Sequence, residues 1–340
     1  MWSLELLLGA ALVGALTCYL LFGGADLGAG IWSLFAPGPH EREQRALIDR
    51  AIGPIWEANH VWLILAVTLL FTAFPAAFAL IMTALHIPLS LMLVGIVLRG
   101  TAFAVRTQDV ASRTDGGSTT AAIWRQLFAW SSLLTPGLLG ISLGAIASGS
   151  LVGAQGGFTD RFLWPWFAPF PLSVGLLTTA LVAYLAAVYL LVESEQPELQ
   201  ASFRRRALGS WFLVVLSAGY ALFEARHGAV EIYQGLTGTW LGWTVLLTTG
   251  VVKCAAWVAL RTQRDRLARL CAVGGAVGIL WGWALAQFPF LVEPSLTIYD
   301  AAPAATLRLL TGSLAAGSLL LFPLLYYLYR LFKGRFLVGS

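Results

Sequence analysis

The chain has 340 residues, of which 58% are hydrophobic and 11% charged, with a formal net charge of +4 and a mean hydropathy of +0.78. Soluble domains carry about 25% charged residues, so this composition excludes an ordinary soluble globule and points to a membrane. The basic excess sits in short connections between apolar runs, which membrane topology explains and nucleic-acid binding does not.

The first apolar run, Leu4 to Phe22, has no basic segment before it and continues through Gly23, Gly24 and Asp26 into further apolar sequence. It reads as a retained helix rather than a cleaved signal. Further runs begin near Ile55, Leu80, Ile123, Pro171, Ala207, Trp240, Leu267 and Leu307. Each is long enough to cross a hydrocarbon core that needs roughly 20 helical residues, which makes about nine spans. The second and third are joined by a tight turn around Phe74-Pro75, so they are expected to be antiparallel neighbours. The fold class is therefore an all-α integral membrane protein. Residues 1–340 form a single transmembrane domain, with the first four spans in roughly 1–150 and the last five in roughly 160–335.

Lys and Arg in alternate connections give the orientation. One set holds Arg42, Arg45 and Arg50, then Arg106, Arg113 and Arg125, Arg204 to Arg206, Arg261, Arg264, Arg266 and Arg269, and finally Arg330, Lys333 and Arg335; the other holds Arg161, Arg226 and Arg308. This places the N-terminus outside and the C-terminus in the cytoplasm. Cys18, Cys254 and Cys271 sit singly in apolar runs, without the spacing of a zinc site or a redox dithiol. Tryptophans such as Trp2, Trp164, Trp166, Trp240 and Trp243 fall near span ends, as interfacial belts do. The stretch Gly23 to Gly30 lacks the Lys and the preceding strand of a phosphate loop, and reads as a helix-packing surface.

An ionisable residue inside a span costs several kcal/mol unless paired or hydrated, and is a functional candidate by default. Asp26, Glu57, His60, Arg99 and Lys253 are such residues. Counting depth at 1.5 Å per residue puts Asp26, Glu57, Arg99 and Lys253 in the inner half of the first, second, third and seventh spans. Two acids and two bases at one depth can neutralise one another. Two readings stay open: a static cluster that fixes helix register, and a hydrated proton entry path. His60 follows Glu57 by three residues on the same helical face, an Glu-x-x-His half of a di-metal carboxylate site whose second copy is missing. A bis-His haem would need His60 and His86 to meet, and they fall at different depths, so His60 reads as a hydrogen-bonding partner of Glu57 or of water.

The same residues carry a family likeness. Gly-Gly-Ala-Asp-Leu-Gly-Ala-Gly (23–30), Ile-Gly-Pro-Ile-Trp-Glu-Ala-Asn-His-Val-Trp-Leu-Ile (52–64) with Leu-Phe-Thr-Ala-Phe-Pro-Ala-Ala-Phe (70–78), and Ile-Val-Leu-Arg-Gly-Thr-Ala-Phe-Ala-Val-Arg (96–106) come in this order. In order and spacing they resemble subunit II of the cytochrome bd-type quinol oxidases, over about the first third of the chain. The resemblance implies two four-helix bundles plus one peripheral helix, packed against a homologous subunit I in a bacterial-type plasma (inner) membrane, among membrane lipids. It implies that subunit I holds the haems, b and d or b only, and the quinol site, where quinol oxidation is coupled to reduction of oxygen to water. This chain would have no redox centre of its own and would contribute stability and a proton path, with Asp26, Glu57 and Arg99 matching the family's polar positions. A structural quinone and a small single-helix subunit are left open. The chain departs from the family where Trp56-Glu57-Ala58-Asn59 stands for the commoner Trp-Asp-Gly-Asn, and where His60 replaces Glu or Gln; Lys253 matches no family motif. The alternatives are a bd-like redox complex with another electron acceptor, a secondary transporter with a midplane ion site, and a purely structural scaffold.

Overall fold

The computed structural model describes residues 3–36, 40–52, 56–111, 119–152 and 156–333. Helix α1 (Leu4–Cys18) is opened by the Ser3 side chain, which accepts from the Leu6 N–H at 3.3 Å. It passes through a π turn (Tyr19–Gly23) into α2 (Gly24–Leu34), and the three form one 31-residue span. A short helix α3 (Glu41–Ile52) follows, with Glu41 and Glu43 in its first turn and Arg50 in its last, the arrangement the helix dipole favours. It buries Leu47 and Ile48 against the body and turns Arg42, Glu43 and Arg50 outward, as an interfacial helix does.

Helix α4 (Trp56–Ala73) and α5 (Pro75–Ala84) bend by 117° at Phe74. Proline disfavours the helical region for the residue before it, and Phe74 takes φ −131° and ψ 60° while Pro75 starts the new helix. The third span therefore starts at His86, as α6 (His86–Ala111), and not near Leu80. The chain between Phe74 and His86 is a short helix where a tight turn was expected. Helix α7 (Thr119–Ala147) leads through α8 (Phe158–Phe162) and α9 (Trp164–Phe167) to α10 (Pro169–Glu193). Then come α11 (Pro197–Gly228), α12 (Val230–Thr237), α13 (Trp240–Arg261) and α14 (Asp265–Gln287). A small antiparallel hairpin, β1 (Phe290–Val292) with β2 (Leu296–Thr297), pairs Phe290 with Thr297 and precedes α15 (Ala304–Lys333).

Among the described residues, eight helices are long and apolar enough to cross a membrane, and nine spans result if the bent α4–α5 pair is taken as one. The chain is a multi-pass, all-α membrane protein apart from the hairpin. Helix α10 lies at its centre: every residue from Ala180 to Val188 is buried, against α2, α7, α11 and α14. Lipid tails are as apolar as the side chains, so such packing relies on close fit. Gly28 and Gly30 supply it. A Cβ on Gly28 would meet the Val182 carbonyl oxygen at 2.0 Å, and one on Gly30 would meet Ser132 Oγ at 2.1 Å, so α2 lies flush on α10 and α7. Trp32 Nε1 donates to the Ala183 carbonyl at 2.8 Å and locks the same contact. Helix α15 packs on α1 and α4 with an exposed outer face.

Connectivity puts the α2–α4, α6–α7, α10–α11 and α13–α14 connections at one end, rich in arginine, and α8, α9, α12 and the hairpin at the other. At the arginine-rich end Arg204 holds Asp265 with contacts of 2.9 and 2.8 Å, tying α11 to α14. Arg206 donates to the Phe35 carbonyl and to Gln44 Oε1, tying α11 to α2 and α3.

Candidate proton-handling site

The π turn widens the first span by one residue just before Asp26, and such bulges occur where a helix must re-aim a polar group. Asp26 is buried, and its carboxylate Oδ2 accepts a hydrogen bond from the Asn59 side-chain amide of α4. Asn59, 1% exposed, also donates to the Phe22 carbonyl at 3.4 Å, within the π turn itself. One amide thus bridges the widened turn and the acid next to it.

Arg99 reaches the same place from α6. It is 2% exposed, and its guanidinium lies within electrostatic reach of Asp26 and Tyr19. Its Nε donates to Ser132 Oγ on α7 at 3.2 Å, and its carbon centre stands 5.3 Å from the Phe128 ring centroid. A fully buried cation is tolerated where opposite charge, hydrogen bonds and an aromatic face compensate its lost hydration, and Arg99 has all three. Tyr19, from the π turn, is buried with its ring 6.0 Å from the His60 ring. Gly23 makes room for it, since a Cβ there would stand 2.7 Å from the tyrosine ring.

Of the residues singled out from sequence, Asp26, His60 and Arg99 are therefore brought to one cluster on α2, α4 and α6. Glu57 lies in the first turn of α4, two residues before Asn59, and its side chain falls outside the described residues. Lys253 is not brought to this cluster. It stands on α13 with Nζ 4.7 Å from the Tyr184 ring centroid, beside Gly275 of α14, and its ammonium makes no hydrogen bond or ion pair among the described residues. Among the described residues, Asp26 and Arg99 thus lie within electrostatic reach of each other at α2 and α6, while Lys253 makes a separate cation–π contact in the second half of the chain. His86 opens α6 at the other end of the bent α4–α5 pair, with Nδ1 2.9 Å from the Thr83 carbonyl, so His60 and His86 form no axial pair. No group of three or more His, Cys, Asp or Glu side chains placed to hold a metal ion occurs among the described residues.

Asn59, Tyr19, Ser132 and Tyr184 complete these clusters without having been singled out. Asn59 was visible within the 52–64 motif as an amide in an apolar run; Ser132 carries no comparable signal because a serine in a span commonly bonds its own helix, and Tyr19 and Tyr184 read as aromatic packing residues.

A membrane chain with a buried acid, amide and guanidinium gathered at the first three spans defines a class, that of multi-pass membrane proteins with a polar cluster inside their helices. Over residues 4–332 the chain matches the family described as cytochrome bd terminal oxidase subunit II, and it belongs to that family. It is 21% identical over 330 residues to the putative cytochrome bd menaquinol oxidase subunit II of Bacillus subtilis, covering 94% of this chain and 92% of that protein. It is 26% identical over 192 residues to the cytochrome bd-I ubiquinol oxidase subunit 2 of Escherichia coli, an alignment that takes in 54% of this chain and 46% of that protein. Among solved structures it is similar to a chain of the bd oxidase from Geobacillus thermodenitrificans, with a TM-score of 0.79 and 25% identity over 97% of this chain and 99% of that one. The relatives are subunits of quinol oxidases, so the chain is a component of an oxidoreductase complex whose family implies haems and a subunit I.

Proposed function

We propose that this chain is subunit II of a quinol:oxygen oxidoreductase in the plasma membrane. In this reading it steadies a haem-bearing subunit I and conducts protons from the arginine-rich, cytoplasmic end toward the site of oxygen reduction. The observation that carries the reading is the Asp26 carboxylate, buried against Asn59 at a π turn and within reach of Arg99. A carboxylate inside a membrane is expensive, and a path that takes up and hands on protons is a common reason to keep one.

The proposed route enters by Glu57 and passes to Asp26; Arg99 holds the charge balance, with Tyr19 and His60 beside it. Lys253 is left off the route because it faces Tyr184. The two groups of helices, α1 to α7 and α10 to α14, would form two four-helix bundles in one transmembrane domain with α15 peripheral. The separated histidines do not suit an axial haem pair, so haems b and d, or b only, are assigned to the partner. Bound haem would supply the electron transfer and oxygen chemistry there. A structural quinone, annular lipids and a small single-helix subunit are compatible additions.

A complex with a different electron acceptor keeps the same path and differs in the partner. The family places the chain among oxidase subunits rather than secondary transporters. The test is to purify the chain with its membrane partner and record a reduced-minus-oxidised spectrum beside quinol-driven oxygen uptake. Haem bands with oxygen uptake are expected. Haem bands with quinol oxidation but no oxygen uptake would move the reading to another acceptor, and a complex without haem would overturn it.

A further inference from the structure

A small polar pocket of about 120 Å³ opens at the arginine-rich end, where the last turn of α2, the interfacial helix α3 and the first turns of α7 meet. Ser33, Arg45, Arg125 and Gln126 line it with the apolar side chains of Leu34, Ala122 and Ala129. Its charge is one-sided. Arg45 is bridged to Glu41 at 2.7 Å, whereas Arg125 is half-buried and makes no ion pair or hydrogen bond among the described residues. Ser33 has committed its hydroxyl hydrogen to the Gly30 carbonyl at 2.6 Å, so the donors that face a ligand most directly are those of the Arg125 guanidinium and the Gln126 amide.

Orientation alone accounts for arginines in this end of the molecule, but a topological arginine extends into solvent. Arg125 instead lies in a recess between helices. A recess lined by Arg45 and Arg125, with no acid among its described lining residues, suits a tetrahedral oxyanion, which accepts paired N–H bonds from arginine. The recess lies at span ends, and Phe35 and Ile123, next in sequence to its lining residues Leu34 and Ala122, are 60% and 54% exposed. Basic pockets between membrane helices on this side bind anionic headgroups.

We infer that the Arg45–Arg125 pocket binds the phosphodiester headgroup of an anionic phospholipid, with Arg125 as the principal charge and Gln126 as an accessory donor. The lipid would fill the notch between α3 and α7 and hold the interfacial helix against the span bundle. The chemistry recognised is a phosphate oxyanion, which free inorganic phosphate also offers.

The intact complex would be exchanged into nanodiscs of phosphatidylcholine with or without phosphatidylglycerol, delipidated with mild detergent, and its retained phosphatidylglycerol counted by native mass spectrometry. Arg125→Gln, Arg45→Gln and, as a control on the same end, Arg264→Gln would be compared. Arg125→Gln is expected to lower retained phosphatidylglycerol about fivefold, with Arg45→Gln smaller and the control unchanged. Equal retention in Arg125→Gln and wild type would overturn the inference. So would an equal loss in the Arg264→Gln control, which would show a diffuse surface effect. Inorganic phosphate at millimolar concentration separates the sources: no displacement of the lipid supports the headgroup, and phosphate binding that excludes phosphatidylglycerol overturns the lipid in favour of the free ion.

Discussion

Asn59 of α4 donates its amide to the Asp26 carboxylate of α2, and the same nitrogen reaches the Phe22 carbonyl in the π turn that interrupts the first span. Two spans are thus latched by one buried amide at the point where the chain carries its charge. Asn59→Leu removes one donor from that buried carboxylate, a loss that costs about 1–3 kcal/mol where no other donor takes its place. A lower thermal midpoint of the purified complex is expected, whereas a midpoint equal to wild type would show that Asp26 has other sufficient partners.

Close helix contact makes a second prediction. Gly28→Ala must push α2 off α10, because its Cβ would stand 2.0 Å from a backbone oxygen, and overpacking of this kind costs about 1–3 kcal/mol. Gly14→Ala meets nothing within 4 Å and should leave stability unchanged. Yield and thermal midpoint of the two variants, measured side by side, check the pair; equal effects would contradict the packing.

How much of this was legible in the sequence depends on geometry. Spans were readable because a helix must be apolar for roughly 20 residues to cross a bilayer, so α6, α10, α13 and α14 announce themselves. Rotation about the helix axis was not. Counting residues puts Asp26, Arg99 and Lys253 at one expected depth, but Lys253 faces Tyr184, and only the packing of the helices decides that. The bend at Phe74 was signalled by Pro75, yet the start of the next span at His86 was not, because the intervening Pro75–Ala84 is as apolar as a span. Helix α3 and the hairpin were hidden by being short.

Lys253 yields a third prediction. A buried ammonium held by a ring face and no hydrogen bond is costly, and its replacement by an apolar side chain of similar volume is often neutral or stabilising. Lys253→Met should assemble normally, melt no lower than wild type and keep oxygen uptake within about twofold, since it lies off the proposed route. A collapse of turnover with intact haem bands would put Lys253 back on the path.

Outside the spans, Glu293 in the hairpin is buried with one carboxylate oxygen unpartnered. Burial, and then the nearby Glu231, push its carboxyl up from 4.5 to about 7. The folded form then holds the proton more tightly than the unfolded one, so stability is full at low pH and is lost as pH rises from the ordinary carboxyl value toward about 7. Asp300 has the opposite sign: the Thr297 N–H and hydroxyl, at 2.7 and 2.8 Å, hold it below its ordinary value. Glu293→Gln should raise protection of the 290–297 amides against hydrogen exchange at pH 8 and leave it unchanged at pH 5; a change at both would point to packing rather than charge.

Asp26 is proposed to carry protons to the oxygen-reducing site. The most direct test is quinol-driven oxygen uptake by the assembled complex in proteoliposomes, for wild type, Asp26→Asn and Glu57→Gln, normalised to haem absorbance. A fall of about tenfold or more in both variants, with spectra and subunit stoichiometry intact, is expected. Turnover per haem equal to wild type in Asp26→Asn, with or without poorer assembly, would contradict this and leave the cluster as a static one that fixes helix register.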